Sequence, residues 1–341
     1  MLDEYQRLEA ALLAFIHTGA GDFSTLALDV HRFQVRWNRP LANFCATHPE
    51  PRDWREIPAV PQNAFKRFTL SVAPPESVAK NFHTSGTTGE GFGQHAFVST
   101  RLYEEAVRAG WARLDFPKVT HFVLVPRPAD APHSSLAHMM SALEPLASET
   151  IWCLDADGRL RADLAGVLAR IMAEGKPVGL LGTALAFLSA FEQLGDHRFR
   201  LPEGSFAMET GGYKGSGRDI AKAELYARFG DFLDLRPDAV FNEYGMTELS
   251  SQFYTHGLER PHLSPPWLRA LVLDPETGAE VALGEAGVLR IFDLANLGST
   301  LAIETQDLAI RRAHGFDLLG RAPGAIPRGC SRPADEQLQG R

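Results

Sequence analysis

Residues 84–89, Thr-Ser-Gly-Thr-Thr-Gly, place four hydroxyl side chains and two glycines in six positions. Glycine lets the backbone come close to a ligand and tolerates positive φ. Successive backbone N–H groups in such a turn form an anion-binding concavity, and Ser and Thr hydroxyls add donors. The chemistry this run suits is the holding of phosphate oxygens, although a plain hairpin turn has a similar composition. Two common phosphate loops do not fit. A Walker loop carries Lys and then Ser or Thr after its last glycine, whereas Gly89 is followed by Glu90. A dinucleotide fingerprint opens a helix, whereas Gln94-His95-Ala96-Phe97-Val98 has strand character. The loop is expected to join two strands.

Other reactive side chains are scattered. Cys45, Cys153 and Cys330 are too widely and irregularly spaced for a disulfide framework or a zinc knuckle. Cys45 and Cys153 read as small buried hydrophobes. Cys330 differs, because Arg328 two residues earlier could lower its thiol pKa. His133 and His138 have no evident acidic third ligand, so no metal site is expected there. His83 and His133 each fit either a turn or the lining of a phosphate or acyl site.

The elements that must position these residues alternate. Residues 121–126, 177–182, 205–209 and 239–242 read as strands, and 164–174, 185–191 and 219–229 as helices. Such alternation implies an α/β sheet with helices on its faces, and ligands in such sheets sit at the carboxyl ends of the strands. From about residue 268 the pattern turns β-rich: 270–273, 287–292 and 301–305 are strand-like, with a strong turn at 274–278. Near the start, Leu8, Ala11, Leu12 and Phe15 share one helical face. The stretch holding Pro58, Pro61, Pro74 and Pro75 reads as a surface connector. The expected organisation is a helical and irregular segment over 1–75, an α/β core over 76–267, a β-rich subdomain over 268–330 and a polar tail over 331–341.

A length of 341 residues allows one large or two medium domains. The net charge of −8 argues against wrapping a nucleic-acid backbone. No apolar run reaches the length of a membrane span. The acidic start Met1-Leu2-Asp3-Glu4 is not a secretory signal, so the cytoplasm is the expected location.

With these motifs in order, the chain resembles the adenylate-forming superfamily. Residues 84–89 match its phosphate loop, and Asn242-Glu243-Tyr244-Gly245-Met246-Thr247-Glu248 its adenine and magnesium motif. Gly284-Glu285-Ala286-Gly287 and Thr305-Gln306-Asp307-Leu308 resemble the next core motifs, and Gly320-Arg321 the hinge. Within the superfamily the chain is similar to acyl-protein synthetases, the fatty-acid-activating ligases of the bacterial-luminescence reductase complex. That likeness rests on Pro132-His133-Ser134-Ser135-Leu136, on Glu209-Thr210-Gly211-Gly212-Tyr213-Lys214-Gly215, and on Arg328-Gly329-Cys330-Ser331.

The resemblance implies the superfamily's N-terminal α/β fold plus a small β-rich subdomain, with the usual C-terminal domain absent, since the chain runs only eleven residues past Cys330. It implies ATP and Mg²⁺ as cofactors. The triphosphate would lie on Thr84, Ser85, Gly86, Thr87, Thr88 and Gly89. Adenine would stack on Tyr244, a contact worth roughly 1–3 kcal/mol, beside the backbone of Gly211 and Gly212, with Thr247 close to the nucleotide. Glu248 would hold Mg²⁺, Asp307 the ribose hydroxyls, and Arg321 would lie near Asp307. Cys330 would accept the acyl group from an acyl-adenylate. The superfamily's lysine after the loop's last glycine is missing here, and so is the C-terminal domain's adenylation lysine; Lys214 is expected to supply part of that positive charge. The implied partners are a carboxylic acid and an acyl-accepting reductase subunit. Two alternatives stay open on the residues alone: a CoA ligase of the phenylacetate type, and a nucleotide-binding module without catalysis.

Overall fold

A computed structural model describes residues 1–84, 92–155, 157–160, 164–211, 220–321 and 337–338. In chain order the helices and strands begin with α1 (Leu2–Thr18), α2 (Phe23–Trp37), α3 (Arg39–Cys45), β1 (Val60–Pro61), β2 (Lys80–His83), β3 (Gln94–Phe97) and α4 (Arg101–Ala112). There follow β4 (Thr120–Leu124), α5 (Ser135–Ala142), β5 (Glu149–Trp152), α6 (Leu164–Glu174), β6 (Val178–Thr183), α7 (Ala184–Leu194), β7 (Phe206–Thr210), α8 (Lys222–Leu233) and β8 (Val240–Tyr244). The last strands are β9 (Phe253–His256), β10 (Leu268–Leu273), β11 (Ala286–Asp293), β12 (Ala302–Arg311) and β13 (Phe316–Arg321).

The chain divides into two compact units. The first comprises residues 1–110, 246–252 and 261–341; the second comprises 111–245 and 253–260. These divisions fall elsewhere than the expected boundaries at 75 and 267: the chain enters the second unit at the end of α4, leaves it after β8 and returns to it for β9.

The second unit is the α/β body. Its sheet runs β5-β4-β6-β7-β8-β9, parallel throughout except for β9, which is antiparallel to β8. Parallel strands buried on both faces read as continuous apolar runs, and Phe206-Ala207-Met208 and Val178-Gly179-Leu180-Leu181 do so. One sheet face packs Phe122, Leu180, Ala207 and Val240 against Leu168, Phe187, Phe191 and Phe229 of α6, α7 and α8. Thr183 starts α7 by accepting from Ala186 N–H at 3.0 Å, a side-chain cap that fixes where β6 ends.

The first unit holds a five-stranded sheet in which β12 is central. It pairs with β11 and β13 antiparallel and with β1 parallel, and β10 lies on the far side of β11. The two-residue strand β1 lies within the proline-rich stretch expected to be a surface connector. Trp54, Ile57, Pro58, Val60, Phe65 and Leu70 there are buried. That expectation is corrected: hydrophobic side chains between the prolines draw the segment into the core. On α1, Leu8, Leu12 and Phe15 are buried as expected, but Ala11 is exposed, and Leu13 and Ile16 complete the buried face instead. Asp22 caps α2 by accepting from Thr25 N–H at 2.8 Å, and Asn38 ends α2 and starts α3, with Pro40 in the first turn. Leu338, expected in a polar tail, is buried, and Asn43 of α3 donates to its carbonyl at 3.2 Å.

Candidate active site

Within the first unit, β2 and β3 form the expected hairpin, with Lys80 opposite Phe97 and His83 opposite Gln94. They bracket residues 85–91. The hairpin is closed by two short bonds: Thr84 N–H donates to Gly93 O at 2.9 Å, and Gly93 N–H to Thr84 Oγ1 at 2.8 Å. The Thr84 oxygen is thereby an acceptor within the hairpin. A Cβ on Gly93 would lie 2.8 Å from Thr84 Oγ1 and 3.2 Å from the Phe65 carbonyl carbon. Gly93→Ala is therefore expected to destabilise the protein by about 1–3 kcal/mol through overpacking, read as a lower urea midpoint. Unchanged midpoints would show that the base of the hairpin is loose.

The strand pair also carries the residues that meet the 247–252 segment. His95 is buried, and burial pushes its imidazole down to about 4, so the ring is neutral. Its Nδ1–H donates to Thr247 O at 2.8 Å. Phe92, 65% exposed, stacks on His83 with ring centroids 6.1 Å apart. Glu248 is buried, and its Oε1 accepts from Gln62 Nε2 at 3.1 Å. The structure thus gathers Thr84, Thr247 and Glu248 around one hairpin. In the five-stranded sheet, Asp307 and Arg321 sit directly opposite each other on β12 and β13, beside a register shift at Leu308/Ala309. Asp307 is partly buried and Arg321 exposed.

Within the second unit, β7 and β8 are neighbours with Thr210 opposite Glu243. Gly211 and Tyr244 each come one residue beyond that pair, at the carboxyl ends of the two strands. Gly211 has φ 71°, and open space surrounds the place a Cβ would take. Tyr244 is buried with its ring 6.0 Å from that of Phe253. A buried polar group lies just behind them: Glu209 Oε1 accepts from Asn242 Nδ2 at 2.8 Å and Tyr226 OH at 3.2 Å, and lies 3.7 Å from Lys222 Nζ. Burial pushes the Glu209 carboxyl up and the Lys222 ammonium down, and the pair's attraction opposes both shifts.

Glu243 accepts from Thr210 Oγ1, and burial raises its carboxyl from the ordinary 4.5 to about 7. Between these values the unfolded chain is ionised and the folded protein still holds the proton. Stability therefore falls as pH rises from about 4.5 to 7, and the loss is complete above that. Glu243→Gln, which keeps an acceptor for Thr210, should gain in Tm relative to wild type across that window, by about 2–4 °C for each kcal/mol removed. A Tm difference that is flat from pH 4.5 to 8 would contradict the assignment.

Ser85, Gly86, Thr87, Thr88, Gly89, Gly212, Lys214 and Cys330 lie outside the described residues. The other two cysteines are poor nucleophiles: burial pushes the Cys45 thiol up to about 12, and Cys153 is buried, its thiol 3.6 Å from Ile151 O. Cys45 is half-buried, less enclosed than expected. His133 stands exposed in the turn before α5. Among the described residues no group of three His, Cys, Asp or Glu side chains could hold a metal by itself. A Mg²⁺ ion that keeps waters and substrate phosphates needs only one or two protein oxygens. The Glu248 carboxylate offers such oxygens, and the buried Gln62 Oε1 beside it has no hydrogen-bond partner among the described residues. The donor set fits that ion.

The family model described as acyl-protein synthetase, LuxE, matches residues 26–339. The chain belongs to that family. Two curated relatives agree, both named long-chain-fatty-acid–luciferin-component ligase. The one from Aliivibrio fischeri is 24% identical over 302 residues, 84% of this chain and 78% of its own. The one from Vibrio harveyi is 24% identical over 316 residues, 89% and 83% respectively. The expectation of an acyl-protein synthetase is thus borne out at the level of the family. Among solved structures, a 2-hydroxyisobutyryl-CoA ligase in complex with 2-HIB-AMP and CoA matches 89% of this chain and 74% of its own, with a TM-score of 0.64 at 11% identity. ATP-bound MatB from Rhodopseudomonas palustris matches 73% of this chain with a TM-score of 0.52 at 17% identity; the chain spans about half of that protein's length (49%). The fold is that of adenylate-forming enzyme domains, as the motifs implied. No helix among the described residues is long and apolar enough to cross a membrane.

Gln62, Asp293 and Asn296, to which no motif pointed, bond Glu248 and the residues just after it. Asp293 Oδ2 accepts from the N–H groups of Ser250 and Ser251, both at 2.8 Å, and Asn296 Nδ2 donates to Glu248 O at 2.8 Å. The one available signal was composition: an Asp and an Asn inside the apolar run 291–303 have to be satisfied by something when buried.

Proposed function

We propose that this protein activates a long-chain fatty acid with ATP and passes the acyl group to a cysteine thiol, forming an acyl-protein thioester. The family match over residues 26–339 carries this reading, and the two curated ligases supply the substrate class. The geometry supports it in each unit. In the first, His83 and His95 of the β2–β3 hairpin meet Thr247, next to Glu248, and Asp307 lies opposite Arg321. In the second, Gly211 and Tyr244 end adjacent strands, where α/β sheets bind ligands.

In the proposed reaction the substrate carboxylate oxygen attacks the α-phosphorus of ATP, and pyrophosphate leaves with the bridging oxygen's electrons. Residues 84–89 hold the phosphates, with Lys214 adding positive charge. Tyr244 and Gly211–Gly212 hold adenine, and Asp307 accepts from the ribose hydroxyls. Mg²⁺, when bound through Glu248, neutralises charge developing on the phosphates. The Cys330 thiolate then attacks the acyl carbonyl, AMP leaves, and a thioester forms. The acyl group moves on to a thiol of a reductase subunit by thioester exchange. The cytoplasm, where ATP and reduced thiols coexist, suits these steps.

The products test this reading. Incubation with ATP, Mg²⁺ and a long-chain fatty acid, with and without CoA, should leave hydroxylamine-labile acyl label on the protein in both cases. Acyl-CoA as the sole acylated product would favour the CoA-ligase alternative and overturn the protein-thioester step.

A further inference from the structure

Glu248 is held through one carboxylate oxygen and through its backbone, and the residues beside it are held too, all within one compact unit. Its Oε1 accepts from Gln62 Nε2 at 3.1 Å, across 186 residues of sequence. Its backbone carbonyl accepts from Asn296 Nδ2 at 2.8 Å. Asn296 is 2% exposed, and its amide also donates to Thr300 O at 3.2 Å and accepts from Ser250 Oγ. The residues after Glu248 are held by Asp293, which is fully buried. It accepts from Ser250 N–H, Ser251 N–H and Ser251 Oγ, the last at 2.7 Å, and from Ala295 N–H at 3.0 Å. Trp267 Nε1 completes the set by donating to Ser251 Oγ at 3.1 Å. The residue before Glu248 is tied by His95.

A surface carboxylate needs no such support. Burying this many polar groups is tolerable only when each is satisfied, and here their bonds converge on one short segment, 247–251. Binding and catalytic groups work only when held within fractions of an ångström of their productive position, which is the task of such a supporting shell.

We propose that Gln62 and Asn296 are positioning residues that set where Glu248 presents its carboxylate to the metal–nucleotide, with Asp293 locking the chain immediately behind it. The assignment rests on the reading of Glu248 as the magnesium carboxylate. Gln62 aims the carboxylate through its bond to Oε1. Asn296 fixes the backbone from which the side chain springs.

The test is the Mg²⁺ concentration giving half-maximal ATP binding, measured by equilibrium dialysis of labelled ATP, together with Tm. Asn296→Asp sets a carboxylate oxygen against two carbonyls, and Gln62→Leu removes the aiming donor. Each should raise the Mg²⁺ midpoint by about three- to tenfold, equivalent to 0.6–1.4 kcal/mol. Ser250→Ala, a milder change that removes only its hydroxyl bond to Asn296, should move it the same way by less and carries the test if Asn296→Asp does not fold. Leu188→Ala, a cavity in the α7 core of the second unit, which holds none of these residues, should lower Tm and leave the midpoint unchanged. If Glu248→Gln shifts the midpoint while Gln62→Leu and Ser250→Ala lower only Tm, the network is scaffold and the positioning role is overturned. If Glu248→Gln leaves the midpoint unchanged, the assignment of Glu248 itself falls, and the positioning role falls with it.

Discussion

Replacing Cys330 with alanine is expected to abolish acylation of the protein while leaving acyl-adenylate formation intact. The thiol enters only after pyrophosphate has left, so ATP–pyrophosphate exchange should proceed as in wild type. Intact-mass analysis after incubation with ATP, Mg²⁺ and a fatty acid should show the acyl mass on wild type and none on the variant. The other two thiols cannot substitute. Cys45 is held protonated by burial, with its thiol near 12, and Cys153 is enclosed in the core, whereas the reactive species is the thiolate. An adduct that survives Cys330→Ala would place the acceptor elsewhere. Loss of exchange together with the adduct would mean that Cys330 serves the first step.

The second large effect belongs to Glu248. Glu248→Gln keeps a group that Gln62 can bond and preserves the backbone contact to Asn296, but removes the negative charge. Exchange should fall on the order of 10²–10³-fold, the range seen when one preorganised electrostatic group is lost at a reacting centre. Tm should change little, because relieving a buried charge offsets the weakened hydrogen bond. Exchange within a few-fold of wild type would show that the carboxylate is structural. A large drop in Tm would show that lost activity reflects lost fold.

The legible parts of this fold are those whose signal is local. Helix α6 is legible at its observed ends, 164–174, because Leu164, Leu168 and Ile171 repeat at helical spacing. Strands β6, β7 and β8 are legible as short apolar runs ending at polar turns. The β2–β3 hairpin is legible because Gln94-His95-Ala96-Phe97-Val98, after the glycine-rich loop, has strand rather than helix character. The pairing of Asp307 with Arg321 could be anticipated only through the resemblance. Fourteen residues separate them, and nothing local says that β12 and β13 fold back on each other.

The clamp on Glu248 was not legible. Gln62 lies 186 residues from Glu248, and Asn296 lies 48 away in a turn. Neither periodicity nor a motif encodes a bond between loops so far apart. The same reason explains the connector around Pro58 and Pro61, where prolines signalled a turn. Val60 and Pro61 instead align parallel with Ile303 and Glu304 of β12. Proline is tolerated there because β1 is an edge strand. Ala11 failed for a different reason: alanine fits either face of a helix, and Leu13 and Ile16 offered more apolar area to bury.

The central claim is that this chain makes acyl-adenylates, and ATP–pyrophosphate exchange across a panel of carboxylic acids tests it most directly. The wild-type protein should exchange labelled pyrophosphate into ATP only when both Mg²⁺ and an acid are present, with long-chain fatty acids giving the highest rates. ATP binding without exchange for any acid on the panel would contradict the account and leave a nucleotide-binding module in its place.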